Sequence, residues 1–422
     1  MTVSEWCETT PSHFLHLAQP ELSKQKNSTN SLDADTAFRL STTMTDSAPL
    51  DGIRVLELAR VLAGPWIGQT LADLGATVIK VEGPKGDETR HWGPPYAPNG
   101  TATYFHSCNR GKRSITADFR NSEDLDVVRG LAADADIVIE NFKVGGLTKF
   151  GLDYPTLSAT NPGLIYCSIT GFGQTGPKAH LPGYDFIIQA MSGVMDVTGE
   201  ADGQPTKTGI ALADLFTALY GTIGIEAALL QRAKTGRGQQ IDMALYDSML
   251  AVLANQASAF LLTGNSPRRL GNAHPSIVPY EVYNASDGPL VIACGNDGQF
   301  SRLCQEFGLE WHLDERFATN PKRMENRVAM SDMMATLVAG CSRDEVLKRM
   351  ENAGVPAGPI NTVGEALSDP QVDARELVVE QSDSRSVDLP IKFSDIVRPD
   401  RGAPPALNQH GPEVRAAGWN KP

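Results

Sequence analysis

The sequence is short of several things that whole classes of protein need. Its six cysteines (Cys7, Cys108, Cys167, Cys294, Cys304, Cys341) are scattered and form no C-x-x-C pair. That excludes a zinc knuckle or a redox dithiol of that type and leaves reduced thiols in a cytoplasmic setting as the simplest reading. Basic residues are outnumbered: 37 Lys and Arg stand against 50 Asp and Glu, a formal net charge of -13. A general nucleic-acid surface needs clustered cations and is not expected, although a local basic patch for a small anion stays open. No uninterrupted apolar run approaches the roughly 20 residues of a membrane span, so no membrane partner is expected. H-E-x-x-H, His pairs at i and i+4, G-x-S-x-G and G-x-x-x-x-G-K-[ST] are all missing. With them go the signatures of a zinc site, an α/β-hydrolase nucleophile and a P-loop, and no metal is expected. Carboxylate chemistry and anion recognition are what remain.

The length of 422 residues is too great for one ordinary core, and the composition, 41% hydrophobic and 21% charged, is that of a globular protein. Residues 1–43 are rich in Ser, Thr, Asn and Gln and hold no sustained period, so they read as a disordered or extraneous extension. With one Arg and five acids this stretch is unlike a mitochondrial presequence, and Met44 stands as an alternative start. The remainder divides into a large α/β domain (44–235), a linking strand and helix (236–275), a small α+β domain (276–369) and a C-terminal segment (370–422) returning to the large domain.

Within the large domain, "IRVLELA", "ATVIKVE", "DIVIE" and "LIYCSI" are short apolar, β-branched runs, and "QQIDMAL" in the linking segment is a further strand. Helical stretches separate them, which predicts an open, Rossmann-like parallel sheet covered on both faces. Residues 211–233 carry the clearest helical period, with Leu212, Leu215, Leu219, Ile223, Ala227 and Leu230 expected on the buried side. Gly171-Phe172-Gly173-Gln174-Thr175-Gly176 is a literal G-x-G-x-x-G after a strand. A dinucleotide turn needs a helix to begin there, and Pro177 and Pro182 follow instead, so a nicotinamide site is disfavoured.

Several stretches, in order from about residue 50 to 410, carry a wider likeness. "LDGIRVLELARVLAGPWIGQTLADLGATVIKVEGPKGDETRHWGPP", "NRGKRSI", "ADIVIENF", "GYDFIIQAMSG", "KTGRGQQIDMALYDSML" and "GVPAGPI" resemble the class III CoA-transferases, which include formyl-CoA transferase and carnitine CoA-transferase. "GDETRHWGPP" and "AHPSIVPY" look most like the branch that moves CoA from succinyl-CoA to dicarboxylates such as glutarate.

The resemblance implies a homodimer of interlocked chains, an acyl-CoA and a small carboxylic acid as substrates, and no tightly bound cofactor. It places the family's nucleophilic aspartate at Asp214, in "ALADL". On spacing alone Asp214 is an ordinary first-turn helix carboxylate. With a reference pKa of ~3.9 such a group is expected to be ionised at neutral pH without a general base. Coenzyme A contacts are implied for Val61 and Ala63 at the pantetheine arm, and for Ala117, Arg120, Asn141 and Phe142 near the nucleotide. Lys149 stands where relatives use a phosphate-binding Arg. Arg90 is taken as the anchor for an acceptor's second carboxylate, with Tyr184, Asp185 and His274 as further substrate contacts.

Leu62, Gly83 and Pro182 replace Gln, Arg and Lys of formyl-CoA transferase, and His274-Pro275 stands in place of its glycine loop. Lys112 and Arg113 read either as anion-binding cations or as a solvated strand edge. The α-methylacyl-CoA racemases are a rival of the same fold, but Tyr184 occupies their histidine position and is a poor base at neutral pH. A non-catalytic CoA-binding dimer is the rival from another class.

Overall fold

A computed structural model describes residues 48–381, 384–396 and 401–420. The expectations for residues 1–43 and for Met44 lie outside the described residues. Six strands form the main sheet: β1 (Arg54–Glu57), β2 (Thr77–Glu82), β3 (Lys112–Thr116), β4 (Ile137–Glu140), β5 (Ile165–Thr170) and β6 (Gln240–Ala244). All pair in parallel, in the order β3-β2-β1-β4-β5-β6. The strand sequence reverses direction between β1 and β4, so loops leaving these two strands diverge and open a crevice at the sheet's C-terminal edge.

The central strands are apolar throughout because helices cover both sides. On one side the Ala63–Asp73 helix and the Leu212–Thr235 helix bury Ile67, Leu71, Ala218 and Ile225 against Val55, Ile139 and Ile165. On the other, the Ser122–Ala133 and Tyr154–Thr160 helices bury Val128, Leu131 and Leu157 against Leu56, Ile79 and Val138. Each such side chain contributes about 1.5–3 kcal/mol when fully buried. Asn121 caps the Ser122–Ala133 helix by accepting from the Glu123 and Asp124 N–H groups.

Three expectations change. The strand β3 reads poorly in sequence because "KRSIT" is polar, yet Lys112 and Arg113 are both buried and paired, to Glu57 and Glu413. Neither the anion-site nor the solvated-edge reading survives. β6, assigned to a linker, is instead the edge strand of the main sheet. The 212–235 helix turns its small residues inward: Ala213, Thr217, Ala218, Gly221, Thr222, Ile225 and Ala228 are buried. Leu219, Ile223 and Leu230, expected inside, are 48%, 60% and 69% exposed in the single chain. By length and composition alone this 24-residue helix could also cross a membrane, a point its interleaved Ala, Gly and Thr hide from a search for apolar runs. Here its inner face packs on the sheet.

A second, antiparallel sheet is built from β7 (Tyr280–Ala285), β8 (Gly288–Ala293) and β9 (Ala357–Pro359). Helices packed on it enclose a core around Phe300, Phe317, Met330 and Met334. The chain then returns to the large sheet. His410 N–H donates to the Ser114 carbonyl (3.0 Å), and the Trp419 indole donates to the Leu131 carbonyl (3.1 Å).

Candidate active site

The turn between β1 and the Ala63–Asp73 helix is the centre of the site. Asn141, at the end of β4, staples it: the Arg60 N–H donates to Asn141 Oδ1 (3.0 Å), and Asn141 Nδ2 donates to the Arg60 carbonyl (2.7 Å). Val61 sits in the left-handed region at φ 71°. Leu62 precedes the helix, and the Ala63 N–H lies near enough to the Asp214 carboxylate to favour its ionised form. The turn lies where the crevice between β1 and β4 opens.

Asp214 is the third residue of the Leu212–Thr235 helix. The helix start is held by Asp185, whose Oδ1 accepts from the Ala213 N–H (2.8 Å), while Oδ2 accepts from Gln189 Nε2 (2.7 Å). Asp185 opens its own helix, with Tyr184 exposed at the cap. Burial pushes Asp214 up to about 7, the neighbouring Asp185 charge adds to the rise, and the Ala63 N–H opposes both. The expectation of a carboxylate fully ionised at neutral pH is thereby corrected: the nucleophile candidate titrates near neutrality. Tyr104 faces the same carboxylates, and burial followed by the Asp214 charge raises its hydroxyl.

The sign of the resulting pH dependence follows from linkage. Between the unfolded value of ~3.9 and the native value, the folded protein binds more protons than the unfolded chain, so stability is lost as pH rises through about 7. Asp214→Asn removes this term. Thermal melts of the variant should lie above those of the native protein at pH 8, with the gap closing toward pH 4. A gap independent of pH would show that Asp214 is not raised.

A cleft of about 350 Å³ adjoins the turn, lined among others by Arg60, Ala117, Phe119, Arg120, Phe142 and Phe150. Phe119 stacks on Phe142 (centroids 6.2 Å apart) and meets Phe150 edge-on (5.3 Å), so the slot has apolar walls. Lys149 Nζ lies 4.8 Å from the Phe150 ring centroid, at the rim. Arg120 is exposed and bonded to Asp118 (2.7 Å). The structure therefore brings Ala117, Arg120, Phe142 and Lys149 together, with Asn141 as a staple behind them. Arg60, Phe119 and Phe150 were not foreseen; "ADFR" directly after a strand was the available signal. Arg60 lies at the cleft and Ala63 at Asp214, so the β1 turn joins the two.

Glu140 was also missed. It ends β4, buried, and accepts from the Phe142 N–H (2.8 Å), and burial pushes it up to about 7 against its Ser168 and Phe142 hydrogen bonds.

Arg90 is not free to meet a substrate. It is buried, its Nε and Nη2 hold Glu82 with two bonds of 2.8 Å, Nη2 also reaches the Pro405 carbonyl, and the guanidinium lies 3.7 Å from the Phe105 ring centroid. Its expected role as a carboxylate anchor is corrected to that of a wall element. Arg90→Met should cost about 3–5 kcal/mol, because the buried Glu82 carboxylate loses its guanidinium partner. Chemical denaturation measures that loss, and the preference for dicarboxylate over monocarboxylate acceptors should not move. His274 belongs to the approach to the small domain: its ring stacks on Tyr280 (5.0 Å) and Nδ1 accepts from the Ser276 N–H (3.0 Å).

Gly171 shows what the glycine-rich stretch does. A Cβ there would lie 2.5 Å from the Gly183 Cα, so the glycines let two chain segments cross. Gln174 N–H is taken by the Asp242 carboxylate (2.9 Å), and no helix begins before Asp185. Among the described residues, no group of three or more His, Cys, Asp or Glu could hold a metal ion.

Sheet order and site together define an α/β protein with a crevice at its switch point, holding a partly buried carboxylate pair beside an aromatic cleft. The chain belongs to the CoA-transferase family III, whose model matches residues 50–411, and it is a CoA-transferase acting on CoA thioesters. It is 52% identical over 380 residues to the succinate–glutarate CoA-transferase of Agrobacterium fabrum, covering 87% of this chain and 95% of that one. It is 41% identical over 369 residues to the mouse succinyl-CoA:glutarate CoA-transferase, covering 86% and 84%. Among solved structures, a CaiB/BaiF family protein from Brucella suis matches with a TM-score of 0.81 and 56% identity, over 88% of this chain and 99% of that one.

Proposed function

We propose that the protein moves CoA from succinyl-CoA to a dicarboxylic acid of glutarate size, with Asp214 as the covalent carrier. The observation that carries this is the placement of Asp214: a partly buried carboxylate close to the Ala63 N–H, in the turn that also borders the aromatic cleft. The adenine lies against Phe119, Phe142 and Phe150, the phosphates near Arg120 and Lys149, and the pantetheine arm follows the β1 turn toward Asp214. Ionised Asp214 attacks the thioester carbonyl and expels the CoA thiolate, leaving a mixed anhydride. The thiolate attacks the aspartyl carbonyl, releasing succinate and forming an aspartyl-CoA thioester. The acceptor carboxylate attacks that carbonyl in turn and expels the thiolate, leaving a second mixed anhydride; the thiolate then attacks the acceptor's acyl carbonyl, forming the new thioester and restoring Asp214. Each activated acyl bond is exchanged for another, so no ATP is consumed. The Ala63 N–H is placed to donate to oxyanions forming at Asp214.

The active unit in this reading is a homodimer. The exposed Leu219, Ile223 and Leu230 make an apolar face that water solvates poorly, and Phe260, Leu261 and Leu262 add to the uncovered area. The five cysteines among the described residues are free, which suits a reducing cytoplasm.

Purified protein incubated with succinyl-CoA and separate acids (glutarate, succinate, malonate, oxalate, formate), with CoA esters read by mass spectrometry, tests the substrate assignment. Glutaryl-CoA should form fastest. No transfer to any dicarboxylate would overturn it.

A further inference from the structure

Val61 is an oddity that the transfer scheme does not explain. A β-branched residue at φ 71° is a backbone outlier, because its Cβ crowds the adjoining carbonyl in the left-handed region. Such a conformation persists only where the surroundings over-determine it. The surroundings here are specific. The Val61 N–H points at the carboxylate of Asp87, 3.2 Å from Oδ2 and 3.4 Å from Oδ1. The Val61 carbonyl accepts from the Cys108 thiol (3.7 Å).

Asp87 is itself buried and fixed from several sides. Thr89 supplies its N–H (3.0 Å) and its hydroxyl (2.8 Å) to Oδ1. Lys80 Nζ lies 3.0 Å from Oδ2. The Asp87 N–H is taken by Glu82 (2.9 Å). Lys80 in turn holds Glu57 and the Ala59 carbonyl, two residues before Val61. Lys112 reaches Glu57 from β3 and the Pro65 carbonyl on the far side of the turn. The turn is thus gripped at Ala59, Val61 and Pro65 by one buried ion network.

We propose that Asp87 is a positioning residue for group transfer: by holding the Val61 N–H it locks the left-handed turn that aims the Ala63 N–H at Asp214. The inference rests on the reading of Asp214 as the acylated carboxylate and adds what keeps its donor in place. Only Leu62 lies between the anchored residue and Ala63, so rotation about Val61 swings the Ala63 N–H away from the reacting carbonyl. The donor acts on charge developing at Asp214 rather than on the CoA moiety, so loosening it slows the chemical step and leaves binding nearly unchanged.

A double-mutant cycle tests this. Asp87→Asn keeps the shape but turns an NH₂ toward donors that a carboxylate oxygen had accepted. Rates of glutaryl-CoA formation from succinyl-CoA and glutarate should show kcat down about tenfold to a hundredfold, the range for losing a hydrogen bond to a charged group, with KM for succinyl-CoA within about twofold. Glycine reaches φ near 71° without a Cβ penalty, so the turn no longer depends on its anchor. In a Val61→Gly background the same Asp87→Asn change should therefore lower kcat by no more than about threefold. A purely structural role for Asp87 in the Lys80 network would show the full loss in both backgrounds, and that result overturns the proposal, as does an unchanged kcat in Asp87→Asn.

Should Asp87→Asn not fold, Thr89→Val carries the test. It removes the hydroxyl that orients Asp87 and leaves every charge in place. A kcat lowered about threefold at constant KM supports the proposal, and an unchanged kcat contradicts it. A hydroxylamine-trapped adduct on native Asp214 is measured alongside. Its absence refutes the carrier reading, whereas its presence with a failed cycle refutes only the role of Asp87.

Discussion

Asp214→Asn is expected to abolish CoA transfer, lowering kcat by at least about 10⁴-fold, because it removes the group proposed to form both covalent intermediates. The substitution is close to isosteric, and Asp185 still holds the Ala213 N–H, so the helix start keeps its partner. CoA binding should survive, since the cleft of Phe119, Phe142 and Phe150 is built by other elements. The expected pattern is therefore a folded protein that binds CoA and does not exchange it. Asp214→Glu gives a finer test. The carboxylate remains but is displaced by one methylene, and misplacement of about 1 Å costs about 10² in rate. Initial rates by separation of CoA esters, with circular dichroism and CoA titration as controls, read all of these quantities.

Ile223→Asp is expected to have the second largest effect, on assembly. Ile223 lies at the middle of the exposed face with Leu219 and Leu230, on the same helix that carries Asp214. In a two-fold dimer one substitution acts twice, because the same patch serves both chains. A buried, unpaired carboxylate costs about 3–5 kcal/mol, so the dissociation constant should rise by about 10⁴-fold or more. Sedimentation should show native protein at twice the chain mass and the variant at the chain mass or aggregated. A native protein that sediments as a single chain, or a variant that remains paired, removes this face as the dimer contact.

The sheet was legible in sequence where strands are buried on both sides, because burial there demands runs such as "IVIE" and "TVIKVE". β3 was not, since its Lys112 and Arg113 are buried only by virtue of Glu57 and Glu413, residues far away in the chain. The inward face of the 212–235 helix was misread for a related reason. Hydrophobic period finds the largest side chains, whereas close packing on Ile67 selects small ones: a Cβ on Gly221 would lie 2.6 Å from the Ile67 side chain. The larger residues are thereby left outward, and a single chain leaves them uncovered. At the site, the resemblance supplied Asp214, Asn141 and Phe142 as positions, but not their chemistry. The rise of Asp214 toward neutrality arises from burial and from Asp185, contributions that exist only once the helices converge. Asp87 and Glu140 carried no sequence signal, because a buried carboxylate looks like any surface acid until its donors are known. Arg90 was misassigned by the same blindness, its partner Glu82 lying one strand end away.

Mass spectrometry of the peptide bearing Asp214, after quenching turnover of succinyl-CoA and glutarate with hydroxylamine or borohydride, examines the covalent carrier directly. Conversion of that side chain to the hydroxamate or the reduced alcohol, dependent on succinyl-CoA, is the predicted result. An unmodified Asp214 peptide from enzyme caught in full turnover would contradict it.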